Sequence, residues 1–182
     1  MYKSEPSWGT NGRKIDIPRG KTLGGSSSIN GVVFNRGQSM DFDVWSQKGN
    51  LGWSYNDVLP YFKSMETKVG SGDDGYHGKN GEQLITDLTW RDPLCDAFIQ
   101  GAIDYGIPLN KDYNGKSQEG VSYVQRTTSG KFRRSSSRSF LNPIKKRKNL
   151  KIITNAHVKK IIINNKKAEG IEYFVGNHNG KL

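Results

Sequence analysis

The sequence predicts a mixed α/β fold, of the α+β kind, because one well-punctuated helix stands among short strands and glycine-rich loops. In RDPLCDAFIQGAIDYG, Asp92 sits at an N-cap position, Pro93 at the first helical position and Gly106 just past the end. Leu94, Phe98, Ala102 and Tyr105 then recur at three- and four-residue steps and share a face. The stretch NLKIITNAHVKKIIINNKKAEGIEYFVG reads instead as strands, Leu150 to Thr154, His157 to Ile163 and Gly170 to Val175, with Asn164 to Lys167 as a turn. Nothing repeats internally, and the mixture of helix and strand argues against a sandwich or a barrel.

In chain order, the first feature is GGSSSINGVVFNRG (Gly24 to Gly37), directly after IPRGKTL. A flexible linker, a surface turn and a phosphate-cradling loop all fit glycines and serines. Glycine lets backbone N–H groups converge on one spot and the hydroxyls add donors, which suits a pyrophosphate. Two features weigh against a linker: Ile29, Val32, Val33 and Phe34 would be exposed in a tether, and Pro18, Arg19, Gly20 and Lys21 are too varied for low complexity.

WSYNDVLPYFKSME follows, with Ser54 as an N-cap and Asp57 at capping-box spacing. Pro60 is expected to interrupt the helix, giving a turn through Asp57 and Leu59 and then a short helix from Pro60 to about Glu66. Val58, Tyr61, Phe62 and Met65 would lie on one side. VGSGDDGYHGKNG (Val69 to Gly81) is an exposed loop by composition and a candidate subdomain boundary. EQLITDLTW (Glu82 to Trp90) alternates as a strand.

Composition narrows the function classes. In 182 residues the hydrophobic fraction is 33%, with 22 glycines, so apolar content is thin for a self-sufficient core. Lys and Arg number 28 against 17 Asp and Glu, a formal charge of +11 that attracts polyanions in general. The basic residues crowd into KFRRSSSR (Lys131 to Arg138) and KKRK (Lys145 to Lys148), read as solvated faces. Cys95 is the single cysteine, so no intrachain disulfide forms, and His77, His157 and His178 lack ligand spacing; no metal is expected. No run is long enough for a membrane span, and MYKSEPSWGTNGRK shows neither an apolar signal core nor a cleavage pattern. Localisation stays open, secretion of a longer parent included.

PRGKTLGGSSSINGVVFNRG, with DFDVWSQKGNLGWSYNDVLPYFKSME, resembles the first signature region of the glucose–methanol–choline flavin oxidoreductases, especially their insect glucose dehydrogenase-like branch. The stretch from DYNGKSQEG through NAHVKKI to GIEYF is similar to that family's return from substrate domain to flavin domain, so the resemblance spans nearly all of residues 13–175. It implies part of an FAD-binding dinucleotide-fold domain interrupted by part of a substrate domain with an antiparallel sheet. The expected segments are 1–69 on the flavin side, 70–139 on the substrate side and 140–182 returning to the flavin side.

The resemblance also implies FAD as cofactor. Ser26 and Asn30, with the backbone of Gly24, Gly25 and Gly31, would lie along the FAD pyrophosphate and toward the flavin ring, and the main chain of Val158 would meet the adenine. The expected substrate is a small-molecule alcohol or sugar, and nucleic acid is not an expected partner. A G-x-G-x-x-G after a strand, and the C-terminal histidine that takes the alcohol proton in the family, have no counterpart here. The chain is therefore expected to be an internal portion of an oxidoreductase acting on CH–OH groups, inactive alone and with no catalytic residue; His157 is not expected to be the base. Two alternatives stand beside this: a basic module binding nucleic acid or another polyanion, with Tyr113, Tyr123 and Phe132 near its charges, and a non-catalytic scaffold remnant.

Overall fold

The computed structural model describes residues 2–176 and the backbone of residues 178–181. The side chain of His178, weighed above as a metal ligand, lies outside the described residues. The chain divides into two compact units, Met1–Pro143 and Ile144–Leu182.

The first unit opens with a small antiparallel pair, β1 (Tyr2–Lys3) and β2 (Asp16–Ile17), and then runs through the glycine–serine loop. Helix α1 (Ser39–Gln47) and helix α2 (Tyr55–Met65) follow, joined by a short turn. Phe42 packs edge-on against Phe62 with centroids 5.5 Å apart, and the backbone N–H of Tyr55 donates to Asp43 Oδ1 at 2.9 Å, so the two helices are pinned to each other at both ends of α2.

The capping box expected at α2 forms: Ser54 N–H donates to Asp57 Oδ2 at 3.0 Å, and the Asp57 N–H donates back to Ser54 Oγ at 3.4 Å. The interruption expected at Pro60 does not occur, because Pro60 lies inside one continuous helix. The carbonyl that proline leaves without a helical donor is that of Asn56, four residues back, and both Asn56 and Pro60 are exposed, so water can satisfy it. Phe62 against Phe42, and Lys63 Nζ donating to the carbonyls of Asp74 (2.8 Å) and Gly75 (3.1 Å), hold the helix beyond the proline.

Helix α2 passes directly into β3 (Glu66–Val69), which pairs in parallel with β4 (Gln83–Thr86), Glu66 opposite Gln83. The sequence placed Glu66 at a helix end and missed β3. The expected strand over 82–90 forms only as β4, because Asp87 turns aside to bind Lys68 Nζ at 2.7 Å and the Ser71 N–H at 2.8 Å. The loop between the strands folds tightly under α2: a Cβ on Gly78 would overlap the Lys63 carbonyl.

Helix α3 (Pro93–Asp104) matches its expected bounds, with Asp92 Oδ1 accepting from the N–H groups of Leu94 (2.9 Å) and Cys95 (3.4 Å). Its apolar face is largely open to solvent, Leu94 at 79% and Phe98 at 73% exposure. The first unit closes with the hairpin β5 (Thr128–Ser129) and β6 (Phe132–Arg133), then a π-helical turn at Ser137–Leu141.

In the second unit, β7 (Ala156–Asn164), β8 (Lys167–Val175) and β9 (His178–Lys181) form an antiparallel meander. The expected turn at 164–167 is present, with Asn165 and Lys166 both at positive φ (48° and 64°), as a two-residue hairpin turn of right-handed strands requires. Leu150 to Thr154 is not a strand. Its alternation supplies side chains but no neighbouring ladder among the described residues, and Asn155 at φ 56° turns the chain before β7 begins.

The interior is unusual in its chemistry. Val32 and Ile85 are the buried hydrophobic residues, while Arg36, Glu66, His77, Asn114, Gln125, Ser135 and Ser139 are buried polar ones among the described residues. The thin apolar content of the sequence is thus matched by a centre built from hydrogen bonds and ion pairs. No helix among the described residues is long and apolar enough to cross a membrane.

Candidate cofactor site

The glycine–serine loop is a tight, ordered turn. Gly24 and Gly25 take positive φ (90° and 54°) and lead into a 3-10 turn at Gly25–Ser28. Glycine is required at two places: a Cβ on Gly20 would overlap the Gly25 carbonyl, and one on Gly24 would come within 2.6 Å of Ser28 Oγ. The loop therefore folds back on the preceding PRGK backbone, and Gly20 N–H reaches Ser26 Oγ at 3.3 Å.

Its far side is clasped by the basic run of the chain. Ser27 Oγ donates to the Gly24 carbonyl at 2.5 Å and accepts from Ser136 N–H at 2.9 Å, while the hydroxyl of Ser136 returns to the Gly24 carbonyl at 3.2 Å. Arg133 Nη1 donates to Asn30 Oδ1 at 2.6 Å and to the Ser27 carbonyl at 3.3 Å. The segment leaving the loop is also paired, with Phe34 N–H on the Gln125 carbonyl at 2.9 Å and Thr127 N–H on the Val32 carbonyl at 2.9 Å. KFRRSSSR, read from the sequence as a solvated face, carries strand β6. Its charges do not all face water, however: Arg133 and Arg134 are half-buried, and Arg133 is spent on the loop.

After these contacts, several donors are left over. Asn30 Oδ1 is fully occupied by Arg133 and by Val32 N–H (3.1 Å), so its amide N–H₂ is the part that remains. Ser26 Oγ accepts from Gly20 and keeps its proton to give. The N–H groups of Gly24, Ser26 and Gly31 have no acceptor among the described residues. A Cβ on Gly25 or Gly31 would meet nothing within 4 Å, so the backbone there is open to approach. A set of unspent donors beside a guanidinium suits an anion, and the FAD pyrophosphate expected from the sequence resemblance fits it in chemistry.

The GMC oxidoreductase family profile matches residues 3–181. The chain belongs to the GMC oxidoreductase family. It is 42% identical over 175 residues to the oxygen-dependent choline dehydrogenase of Brucella ovis, covering 96% of this chain and 32% of that protein. It is 44% identical over 171 residues to the oxygen-dependent choline dehydrogenase of Sinorhizobium fredii, covering 94% and 31% respectively. Among solved structures, an FAD-dependent oxidoreductase from Chaetomium thermophilum superposes with a TM-score of 0.88 at 28% identity, over 100% of this chain and 34% of that one. The chain thus spans about a third of the length of the curated relatives it matches. FAD is the cofactor of GMC oxidoreductases, and the mixed α/β architecture is that of their flavin-binding part.

In this GMC chain, Gly24, Gly25, Ser26, Asn30 and Gly31 lie on one continuous turn. Val158 lies in the second unit, on β7 opposite Tyr173 and about half exposed. Sequence reasoning missed Arg133 and Ser136, whose only signal was a second serine triplet flanked by arginines.

It also missed a buried cluster. Arg36 Nη2 meets Glu66 Oε2 at 2.7 Å, Glu66 Oε1 meets His77 Nδ1 at 2.7 Å, and His77 Nε2 meets Asp112 Oδ1 at 2.8 Å. Gln125 Nε2 donates to the same Asp112 oxygen at 3.0 Å and accepts at Oε1 from Asn114 at 2.7 Å. Burial favours the neutral imidazole, but hydrogen bonds to Glu66 and Asp112 outweigh it and hold the His77 pKa above its ordinary value. Burial likewise pushes Glu66 up, yet hydrogen bonds from His77 and Gly78 N–H and the Arg36 charge hold it down. Asp112 follows the same pattern, burial being overcome by the His77 and Gln125 hydrogen bonds.

Both ring nitrogens of His77 are engaged by carboxylate oxygens and the side chain is buried, so neither nitrogen faces an alcohol. His157 stacks beside Phe174 on the β7–β8 ladder, centroids 5.0 Å apart. No group of three or more His, Cys, Asp or Glu among the described residues is arranged to hold a metal.

Proposed function

We propose that this chain supplies part of the FAD-holding scaffold of an oxidoreductase acting on the CH–OH group of an alcohol or sugar. One observation carries the reading: the Gly24–Gly31 turn is rigidly clasped on one side and keeps uncommitted N–H and O–H donors on the other. Bound FAD would supply the hydride-accepting chemistry for oxidation of a carbinol to a carbonyl. Ser26, the Asn30 amide and the N–H groups of Gly24, Ser26 and Gly31 would bind and orient its pyrophosphate, the open backbone of Gly25 (its own N–H spent on the Thr22 carbonyl at 2.8 Å) would let it approach, and the Val158 main chain would meet its adenine. The expected division follows, 1–69 and 140–182 on the flavin side and 70–139 on the substrate side.

Both ring nitrogens of His77 face carboxylates, which supports a scaffold role and an acid–base group supplied elsewhere in a longer protein. The relatives, about three times as long, are in keeping with this. Titrating FAD into the 182-residue chain while following flavin fluorescence tests the reading. Binding should be weak, should be competed by ADP, and should weaken roughly tenfold or more in the Ser26→Ala/Asn30→Ala double variant. Binding that is indifferent to both substitutions would overturn it. A short oligonucleotide titrated in parallel checks the polyanion alternative, which requires tighter association and a steep loss with salt. Alcohol-dependent reduction of an electron-accepting dye by the chain alone would refute the scaffold role.

A further inference from the structure

We propose that Arg133 is a positioning residue for the cofactor loop, acting through Asn30 rather than on the ligand itself. The proposal rests on the FAD reading above. An asparagine side chain can present either its oxygen or its N–H₂ to a ligand, and the two ends recognise opposite chemistry. Here the choice is made by the surroundings. Arg133 Nη1 at 2.6 Å and Val32 N–H at 3.1 Å both require an acceptor at Oδ1, so the amide nitrogen is left for an anion.

The same Nη1 also donates to the Ser27 carbonyl at 3.3 Å, tying the side chain of Asn30 and the backbone of the 3-10 turn to one guanidinium. Arg133 is itself fixed at the end of the β5–β6 hairpin, where Phe132 pairs with Ser129 and Arg133 with Thr128. The Arg134 N–H adds a bond to the Thr127 carbonyl at 2.9 Å. Arg133 therefore carries the position of a hairpin about a hundred residues away in sequence to the tip of the loop, a coupling that neither segment contains alone.

Two readouts on the 182-residue chain test this. In ¹⁵N-labelled protein, the Asn30 side-chain N–H₂ pair, assigned from its loss in Asn30→Ala, should be dispersed in the parent. It should move to averaged, rapidly exchanging positions in Arg133→Met, with Arg133→Lys between the two, since an ammonium keeps one donor but not the fork. This arm needs no FAD, and an Asn30 pair unchanged in folded Arg133→Met overturns the proposal whatever the cofactor does. If Arg133→Met does not fold, Arg133→Lys carries the same comparison.

The second arm is a cycle in FAD affinity. Arg133→Met should weaken binding about as much as Asn30→Ala, roughly tenfold, and add nothing further in an Asn30→Ala background. A second, additive loss would show that Arg133 touches the ligand directly and would overturn the positioning role. Absence of FAD binding by the parent chain would instead count against the FAD reading, and with it the cofactor part of this proposal, while the NMR arm still decides whether Arg133 orients Asn30.

Discussion

The Gly24–Gly31 turn and the cluster around Glu66 are both polar, and both join segments far apart in sequence; they differ in what becomes of their donors. Around Glu66 the circuit turns inward: His77, Gly78 N–H, Gln125 and Asn114 find acceptors within it, and Glu66 and His77 are almost fully buried. Arg36 pairs its charge with Glu66 and donates from Nη1 to the Tyr76 carbonyl at 2.7 Å, while its Nε is left without a hydrogen-bond partner among the described residues. Around Ser26 the circuit stays open, with the donors of Asn30, Ser26 and three backbone N–H groups left over. A closed polar network specifies one structure, whereas an open one that is held rigid specifies a partner. The arginines illustrate the contrast. Arg36 neutralises a buried carboxylate, and Arg133 fixes the neutral amide that faces outward.

The sharpest way to break the contrast is Glu66→Gln. Removing one carboxylate leaves Arg36 and His77 buried with too few counter-charges, and the expected loss is about 3–5 kcal/mol of unfolding free energy, measured by urea denaturation. An effect under about 1 kcal/mol would show that the cluster is solvated and does not act as the core. Next in size is Gly20→Ala. Its Cβ must displace the Gly25 carbonyl, so the turn shifts; about 1–3 kcal/mol should be lost, together with the FAD response.

Acidity separates the two regions as well. His77 has its pKa raised in the folded state, so its contribution is complete below the ordinary 6.5 and is lost as pH climbs through the higher folded value. Glu66 is lowered from 4.5 and Asp112 from 3.8, so their contributions are complete above those values and vanish as pH falls through the folded ones. The cluster should therefore stabilise the fold fully between about 4.5 and 6.5. His77→Gln should flatten the fall on the alkaline side; an unchanged alkaline limb in the urea midpoint would refute the charged His77.

The smallest expected effect on stability falls at the open site. Ser26→Ala should change the unfolding free energy by less than about 1 kcal/mol, because the hydroxyl accepts only one long bond from Gly20, while still weakening FAD binding. A large stability loss without a binding change would make Ser26 a closed structural residue and dissolve the distinction between the two regions.

Local chemistry made part of this molecule legible in the sequence. Asp92, Pro93 and Gly106 set the bounds of α3, Ser54 and Asp57 started α2, Asn165 and Lys166 turned β7 into β8, and the glycines and serines of Gly24 to Gly31 announced a non-linker loop, since each depends on neighbours within a few residues. The resemblance to the family was equally local, because it lay in the order of residues along the chain. Tertiary structure alone decided the rest. Pro60 stayed inside a helix because contacts from Phe42 and the 73–75 loop hold the far turn, Leu150 to Thr154 found no ladder, and Glu66 became strand and counter-ion instead of a helix end. Arg133 reached Asn30, and His77 reached Asp112, across separations that leave no periodic trace: a hydrogen bond between distant residues constrains two positions in space and almost nothing in the sequence between them.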